Sequence, residues 1–100
     1  MEDEMVFKGV TYRVIKALKE GTYQHAARGN IEDKNALMTG DISPEQLIAI
    51  INRCNGTHHE SSEHHEIKGI EIHILKRDGW YIKFYFVDPD TIFISVHPSR

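Results

Sequence analysis

The strongest constraint on the fold is the separation of helical and strand patterns along the chain. The N-terminal half has apolar residues at helical spacing. The C-terminal half has three runs rich in β-branched and aromatic residues, Ile70–Leu75, Trp80–Val87 and Thr91–His97. Strands that follow one another without intervening helices favour an antiparallel meander over a βαβ fold. The order therefore predicts an α+β fold, with N-terminal helices packed on one face of a three-stranded antiparallel sheet.

Two helices are predicted in the N-terminal half. The first covers Thr11–Lys19 with its threonine as N-cap, although Met5–Thr11 also fits a short strand. The second runs from Ser43 to about Cys54, and its opening Ser-Pro-Glu-Gln motif forms a capping box with proline at the first helical position. Residues 22–40 contain both helix formers and turn residues, so we expect one or two short helices there.

Length and charge limit the class of protein. We interpret residues 1–100 as a single domain. The acidic N-terminus predicts no export signal. No apolar run is long enough to span a membrane, so we expect no association with one. The lone cysteine, Cys54, fits a reducing cytoplasm. A net charge of −3 argues against nucleic-acid binding by bulk charge alone but leaves room for a local basic site.

The strand register decides which side chains share a face. A two-residue Asp-Gly turn would set apolar beside polar side chains along the ladder, so a three-residue loop that pairs Lys76 with Trp80 is preferred. The same reasoning pairs Val87 with Thr91. The helix-facing side is then expected to hold Ile70, Ile72, Ile74, Ile82, Phe84, Phe86, Ile92, Ile94 and Val96.

The opposite side is predicted to carry a polar patch with the groups that RNA cleavage needs. Its members are His73, Tyr81, Lys83 and His97, with Glu71 and Tyr85 beside them. Metal-free cleavage requires a base for the 2′-hydroxyl, an acid for the leaving oxygen and a cation at the phosphate. Two histidines and a lysine supply these groups, and a tyrosine can stack on a base. The alternative interpretation is that the face is polar only because water contacts it.

Four histidines fall in one short stretch, namely His58, His59, His64 and His65. Imidazoles ligate zinc or nickel, but this spacing matches no established metal motif. The stretch can also be a solvated connection, or it can supply any one of these four histidines to the sheet patch. We assign no metal and no cofactor from it.

The last two predicted strands carry a set of short motifs, namely Trp80–Phe84, then Asp88 and Asp90, then Ile94–His97. In these motifs the chain resembles the MqsR-type mRNA interferase toxins, within the wider group of RelE-like folds. Upstream features follow the same order as in that family: Gly21-Thr22, Ala26-Ala27, the helix from Ser43, and Ser61-Ser62. The resemblance implies helices on one face of a small antiparallel sheet, ribonuclease activity and a cognate antitoxin.

The resemblance also implies roles for particular residues. Tyr81 matches the active-site tyrosine of the family, and His97 stands where the family has a C-terminal lysine. His73 lies near a strand-borne glutamine of the family, and His59 or Glu60 lies near a further catalytic lysine. Histidines thus replace the basic residues of the family.

These observations predict a metal-independent ribonuclease of a bacterial toxin–antitoxin system. His73 and His97 are the predicted acid/base pair, Lys83 holds the phosphate and Tyr81 positions or stacks on the RNA. His59 is the histidine of the clustered stretch that we expect to contribute. The expected partners are an RNA substrate and an antitoxin that covers the polar face.

Two other functions fit the same sequence. One is a non-catalytic interaction domain, such as an immunity protein or adaptor, that docks through Tyr81, Tyr85 and Phe93. The other is a metal-binding or pH-sensing module built on the four clustered histidines. If Thr91–His97 lies at the edge of the sheet, it also offers a route to a homodimer by strand pairing.

Overall fold

The computed structural model describes residues 2–26, 35–65 and 67–98, with side chains in the first helix from Phe7 onward. The elements in chain order are α1 (Glu2–Glu20), β1 (Tyr23–His25), α2 (Ala36–Thr39), α3 (Pro44–Arg53), a 3₁₀ turn (Gly56–His58), β2 (His59–Glu63), β3 (Glu71–Arg77), β4 (Trp80–Val87) and β5 (Asp90–Pro98). The strands form one sheet in the order β1-β5-β4-β3-β2. The α+β class is confirmed, whereas the predicted three-stranded antiparallel sheet is wrong because β1 and β2 make it five-stranded and mixed.

Helix α1 is longer than the sequence pattern predicts. It begins at Glu2 rather than at Thr11, so the segment Met5–Thr11 is helical and not a strand. Thr11 is no cap, since its hydroxyl donates to the Lys8 carbonyl oxygen at 3.1 Å. One face of α1 is buried against the sheet and α3 through Phe7, Val10, Val14, Ala17 and Leu18. None of the helices in the described ranges has the length and hydropathy of a membrane span.

Helix α3 confirms the predicted capping box. The Gln46 N–H donates to the Ser43 hydroxyl oxygen at 3.1 Å, and the Ser43 N–H donates to the Gln46 amide oxygen at 2.9 Å. Leu47, Ile50 and Ile51 form its buried stripe. The helix is capped by Cys54 at its C-terminal end.

Removal of this cap gives a first prediction. Ser43→Ala is expected to lower the free energy of unfolding by about 1 kcal/mol, because the Gln46 N–H loses its acceptor. Urea denaturation measures the change. Ser62→Ala, at an exposed serine of β2, is the matched control and should change stability by less than about 0.5 kcal/mol. Equal losses in the two variants would contradict the capping role.

The segment 22–40 contains a strand that the sequence analysis missed. Tyr23–His25 pairs in parallel with β5, and α2 is the one short helix that the described part of this segment contains. The remainder of the predicted helical region, residues 27–34, lies outside the described residues. Because β1 flanks β5, Thr91–His97 does not lie at the sheet edge, so the condition under which we expected strand pairing in a homodimer is not met.

The turn between β3 and β4 is the two-residue turn that the sequence analysis rejected. Arg77 pairs with Trp80, and Asp78 and Gly79 have φ of 54° and 77°. Two left-handed residues are the signature of a type I′ hairpin turn, for which Asp-Gly is a preferred sequence. The next turn is also one residue shorter than predicted, because Val87 pairs with Asp90.

The observed register reverses the faces of β3. Glu71, His73 and Leu75 share the helix-facing side with Ile82 and Phe84, whereas Ile72 and Ile74 lie opposite. A register shift beside Lys83 and Phe84 adds an extra residue to β5. The fully buried sheet residues of the core cluster are Leu75, Ile82, Phe84, Phe93 and Val96. Of the nine predicted core positions, Ile82, Phe84, Phe86 and Val96 are confirmed as part of, or packed against, this cluster. Ile72 and Ile94 are buried but lie outside the cluster, and Ile70, Ile74 and Ile92 are only half-buried.

The helices pack on this core side, and we call the other side the open face. By register it holds Ile72, Ile74, Lys76, Tyr81, Lys83, Tyr85, Ile92, Ser95 and His97.

Candidate functional site

A stacked tyrosine–histidine pair marks the open face near the end of the sheet. Tyr81 and His97 are direct partners across β4 and β5, and their ring centroids lie 5.0 Å apart at an interplanar angle of 16°. Lys83 follows two residues along β4 on the same face and pairs with Ser95. The predicted neighbourhood of Tyr81, Lys83 and His97 is therefore confirmed.

Hydrogen bonding fixes which nitrogen of His97 can act as a base. The Nδ1 atom lies 2.9 Å from the Pro98 carbonyl oxygen. A carbonyl oxygen only accepts, so Nδ1 carries the hydrogen and donates it. A neutral His97 then keeps its lone pair on Nε2, which has no hydrogen-bond partner within the described ranges. The ring is held in the form that can accept a proton.

Two lysines bring positive charge to this pair. Lys76 pairs with Tyr81 across β3 and β4, and its Nζ lies 5.8 Å from the Tyr81 ring centre. Its charge is partly offset by Glu60, whose carboxylate lies 3.0 Å from the same nitrogen. Lys83 forms no ion pair in the described part of the chain, so its ammonium is available to an anion.

A second aromatic contact lies further along the same face. The rings of His64 and Tyr85 meet edge to face at 5.1 Å. The sequence analysis offered His64 only as one of four histidines that could reach the patch, because it treated the preceding residues as a loop or the lead into a strand. Once His59–Glu63 is recognised as a strand, alternation from Glu60 and Ser62 carries His64 to the open face.

His73 and His59 lie on the other side of the sheet. His73 is 6% exposed, pairs with Phe84 and packs against the Phe86 ring. Its Nδ1 lies 3.1 Å from His59 Nε2, so one imidazole donates to the other. The predicted patch that joined His73 to Lys83 is thus wrong, because the two-residue turn shifts β3 by one position. His73 and His97 cannot act on one substrate atom from opposite faces.

Burial favours the neutral form of both of these histidines. Desolvation lowers the pKa of His59, with a smaller opposing effect from Glu71. Desolvation also lowers the pKa of His73, and the neighbouring His59 lowers it further. Two neutral imidazoles can form a hydrogen bond with each other and also stack their rings. This pairing explains how two polar side chains are tolerated on the helix-facing side of the sheet.

The four clustered histidines do not converge. His59 is the first residue of strand β2 and His64 directly follows its last residue, so the two are about 16 Å apart at the usual rise of a strand. His58 turns to Arg77 instead, with Nε2 and Nη1 3.0 Å apart. In the described ranges no three His, Cys, Asp or Glu side chains form a metal-sized group. The proposed docking surface also loses Phe93, which is fully buried in the core.

Comparisons of the chain with protein-family models, with curated proteins and with solved structures found no match. The resemblance to MqsR-type toxins stays a prediction. The assignment of function depends on the geometry of the open face, above all on Tyr81, Lys83 and His97.

Proposed function

We propose that this chain is a metal-independent ribonuclease that binds single-stranded RNA on the open face of its sheet. The observation that carries the proposal is the stacked Tyr81–His97 pair, in which Nε2 of His97 is the lone-pair nitrogen. Aromatic side chains on an exposed sheet are a common platform for unstacked bases. The function fits the toxin of a toxin–antitoxin system, with an antitoxin that covers this face.

The cleavage step uses the groups that surround the pair. His97 Nε2 takes the proton of the ribose 2′-hydroxyl as the 2′-oxygen bonds to phosphorus. The bond from phosphorus to the 5′-oxygen breaks, which leaves a 2′,3′-cyclic phosphate and a 5′-hydroxyl. The Tyr81 phenol, which has no hydrogen-bond partner in the described ranges, gives its proton to the leaving 5′-oxygen. Lys83 stabilises the negative charge that develops on the phosphate.

This arrangement replaces the two-histidine mechanism that the sequence favoured. His73 is buried and His59 is half-buried on the helix-facing side of the sheet, so they support the sheet and do not contact the RNA. The replacement makes His97 the single histidine whose loss should abolish cleavage. The proposal can therefore be tested at one position.

The test is cleavage of a single-stranded RNA in the presence of EDTA. His97→Asn is the sharpest variant, because the asparagine amide can still donate to the Pro98 carbonyl while the Nε2 lone pair is lost. We expect the rate to fall by about 10²- to 10⁴-fold, the usual contribution of a general base. His65→Asn, at an exposed histidine beyond β2, is the matched control and should cleave at the wild-type rate.

Two results would contradict the proposal. One is a His97→Asn protein that cleaves as fast as the wild type. The other is a folded wild-type protein that cleaves no RNA either with EDTA or with added divalent metals. Mass spectrometry of the products adds a check on the chemistry, because the proposed step leaves a cyclic phosphate on one fragment.

Protein docking on the same face is a second candidate function. Two half-buried isoleucines, Ile74 and Ile92, lie on the open face beside Tyr81 and Tyr85, whereas Ile72 on the same face is buried. An apolar centre with aromatic residues and a charged rim is the composition of a protein interface. A partner that binds this face would also block the proposed cleavage site, as an antitoxin must.

A further inference from the structure

A second cluster of cations lies at the turn between β3 and β4. A cleft of about 350 Å³ is lined there by His58, Lys76, Arg77, Asp78, Gly79 and Trp80. Lys76 belongs both to this cleft and to the surroundings of the Tyr81 ring. The cleft is therefore adjacent to the proposed cleavage site, at the end of the hairpin.

Among the described residues, two N–H groups of the Arg77 guanidinium in this cleft find no acceptor. Its Nε is buried and makes no hydrogen bond within the described ranges, although it lies 3.3 Å from a carboxylate oxygen of Asp78. Its Nη1 faces His58 Nε2 at 3.0 Å. An arginine only donates, so Nε2 would have to accept.

His58 cannot provide that acceptor without giving up another contact. Its Nδ1 lies 2.9 Å from the backbone N–H of Asn55, which also only donates. A neutral imidazole has a single lone-pair nitrogen, so it can accept from Asn55 or from Arg77 but not from both. With the Asn55 contact made, two donors face each other between His58 and Arg77. An anion in the cleft would give Arg77 the acceptor that His58 does not.

The charges around the cleft favour such an anion. The positive side chains are Arg53, Lys76 and Arg77, and the negative ones are Asp78 and Glu60. Arginine is the side chain best suited to two parallel hydrogen bonds with phosphate oxygens. Trp80 lines the same cleft and is half-buried, so its indole offers an apolar surface beside the cations.

We infer that this cleft is a phosphate subsite, which holds a backbone phosphate of the RNA next to the nucleotide that stacks on Tyr81. The inference rests on the proposed function, which supplies RNA as the ligand. The RNA strand would run from the open face, past Lys76, to Arg77. It adds a binding site that takes no part in the cleavage step.

The test measures binding without cleavage. A fluorescent single-stranded RNA with 2′-O-methyl groups cannot be cut, because the attacking oxygen is blocked, and its affinity is read by anisotropy over a range of salt concentrations. We expect Arg77→Gln to weaken binding about tenfold and to reduce the slope of log K against log salt by about 0.7. Arg13→Gln, which removes an arginine that pairs with Asp88 at the other end of the hairpin, is the matched control. It should bind as the wild type does.

A second variant guards against a folding defect. Arg77→Lys keeps the charge but loses the paired hydrogen bonds, so it should keep the salt slope and bind more weakly than the wild type. If both Arg77 variants bind with wild-type affinity, the subsite is overturned, whatever the cleavage assay shows. If the wild type binds no RNA, the subsite fails together with the proposed function.

Cleavage of unmodified RNA by the same preparations separates the two proposals. Binding that depends on Arg77 in a protein that cuts no RNA would support the subsite and contradict the nuclease. Cleavage that depends on His97, in a protein whose affinity does not depend on Arg77, would do the reverse.

Discussion

Replacing Phe84 with alanine is expected to lower the free energy of unfolding by about 3–5 kcal/mol, the usual cost of emptying a phenylalanine site in a core. Phe84 is fully buried in β4, the central strand of the five. Its ring lies 5.6 Å from the Phe86 ring, 5.9 Å from the Phe93 ring and 5.7 Å from the His73 ring. Its removal would leave a cavity among three rings that are held by the sheet and cannot collapse into it.

Urea denaturation of Phe84→Ala and of a surface control measures this cost. Tyr12→Ala is the matched control, because Tyr12 is an aromatic residue of α1 that is 60% exposed. The control should change the free energy of unfolding by less than about 0.5 kcal/mol. A loss below about 1 kcal/mol at Phe84 would show that this side of the sheet is not the core, and would undo the assignment of the two faces.

Local signals in the sequence predicted the elements well where capping or alternation is strong. The Ser43 capping box and the strand pattern of Trp80–Val87 both specify their structure within a few neighbouring residues. The short strands carried no such signal, because three residues of β1 and five polar residues of β2 do not show a period. Their pairing with β5 and β3 depends on residues far away in the chain.

The register error shows why the site was only partly predicted. The rejected Asp78-Gly79 turn looked unfavourable because it placed His73 opposite Phe84 in the core. That placement is tolerated because His73 forms a hydrogen bond with His59, which belongs to a strand that the sequence analysis missed. Tyr81, Lys83 and His97 were still placed together, since the extra residue in β5 restored the predicted pairing of β4 with that strand near its end.

Acidification is expected to destabilise the fold through the His59–His73 pair, in which His73 is buried and His59 is half-buried. Burial lowers the pKa of both imidazoles below the ordinary value of about 6.5. Below about pH 6.5 the unfolded chain therefore binds protons at these positions while the folded protein does not. The free energy of unfolding falls as the pH falls, and the loss grows until the pH reaches the folded pKa values. His25, whose pKa is also lowered by burial, adds an effect of the same sign.

Urea denaturation between about pH 7.5 and pH 5 tests this pair, since the window begins above the unfolded pKa of about 6.5 and extends below it. The double variant His59→Phe/His73→Phe keeps two rings in the site but removes both titrating groups. We expect its stability to depend less on pH than that of the wild type, with His25 responsible for part of what remains. A double variant that loses as much stability as the wild type on acidification would contradict the prediction.

The same double variant also distinguishes structural from catalytic histidines. If His73 were half of an acid/base pair, its replacement would abolish RNA cleavage at neutral pH even in a folded protein. In this structure the His73 ring lies on the helix-facing side of the sheet, against Phe84 and Phe86. Of the predicted acid/base pair, only His97 lies on the open face. We therefore expect the double variant to cleave at neutral pH while His97→Asn does not. If the double variant lost cleavage while His97→Asn kept it, the catalytic histidine would lie on the helix-facing side of the sheet.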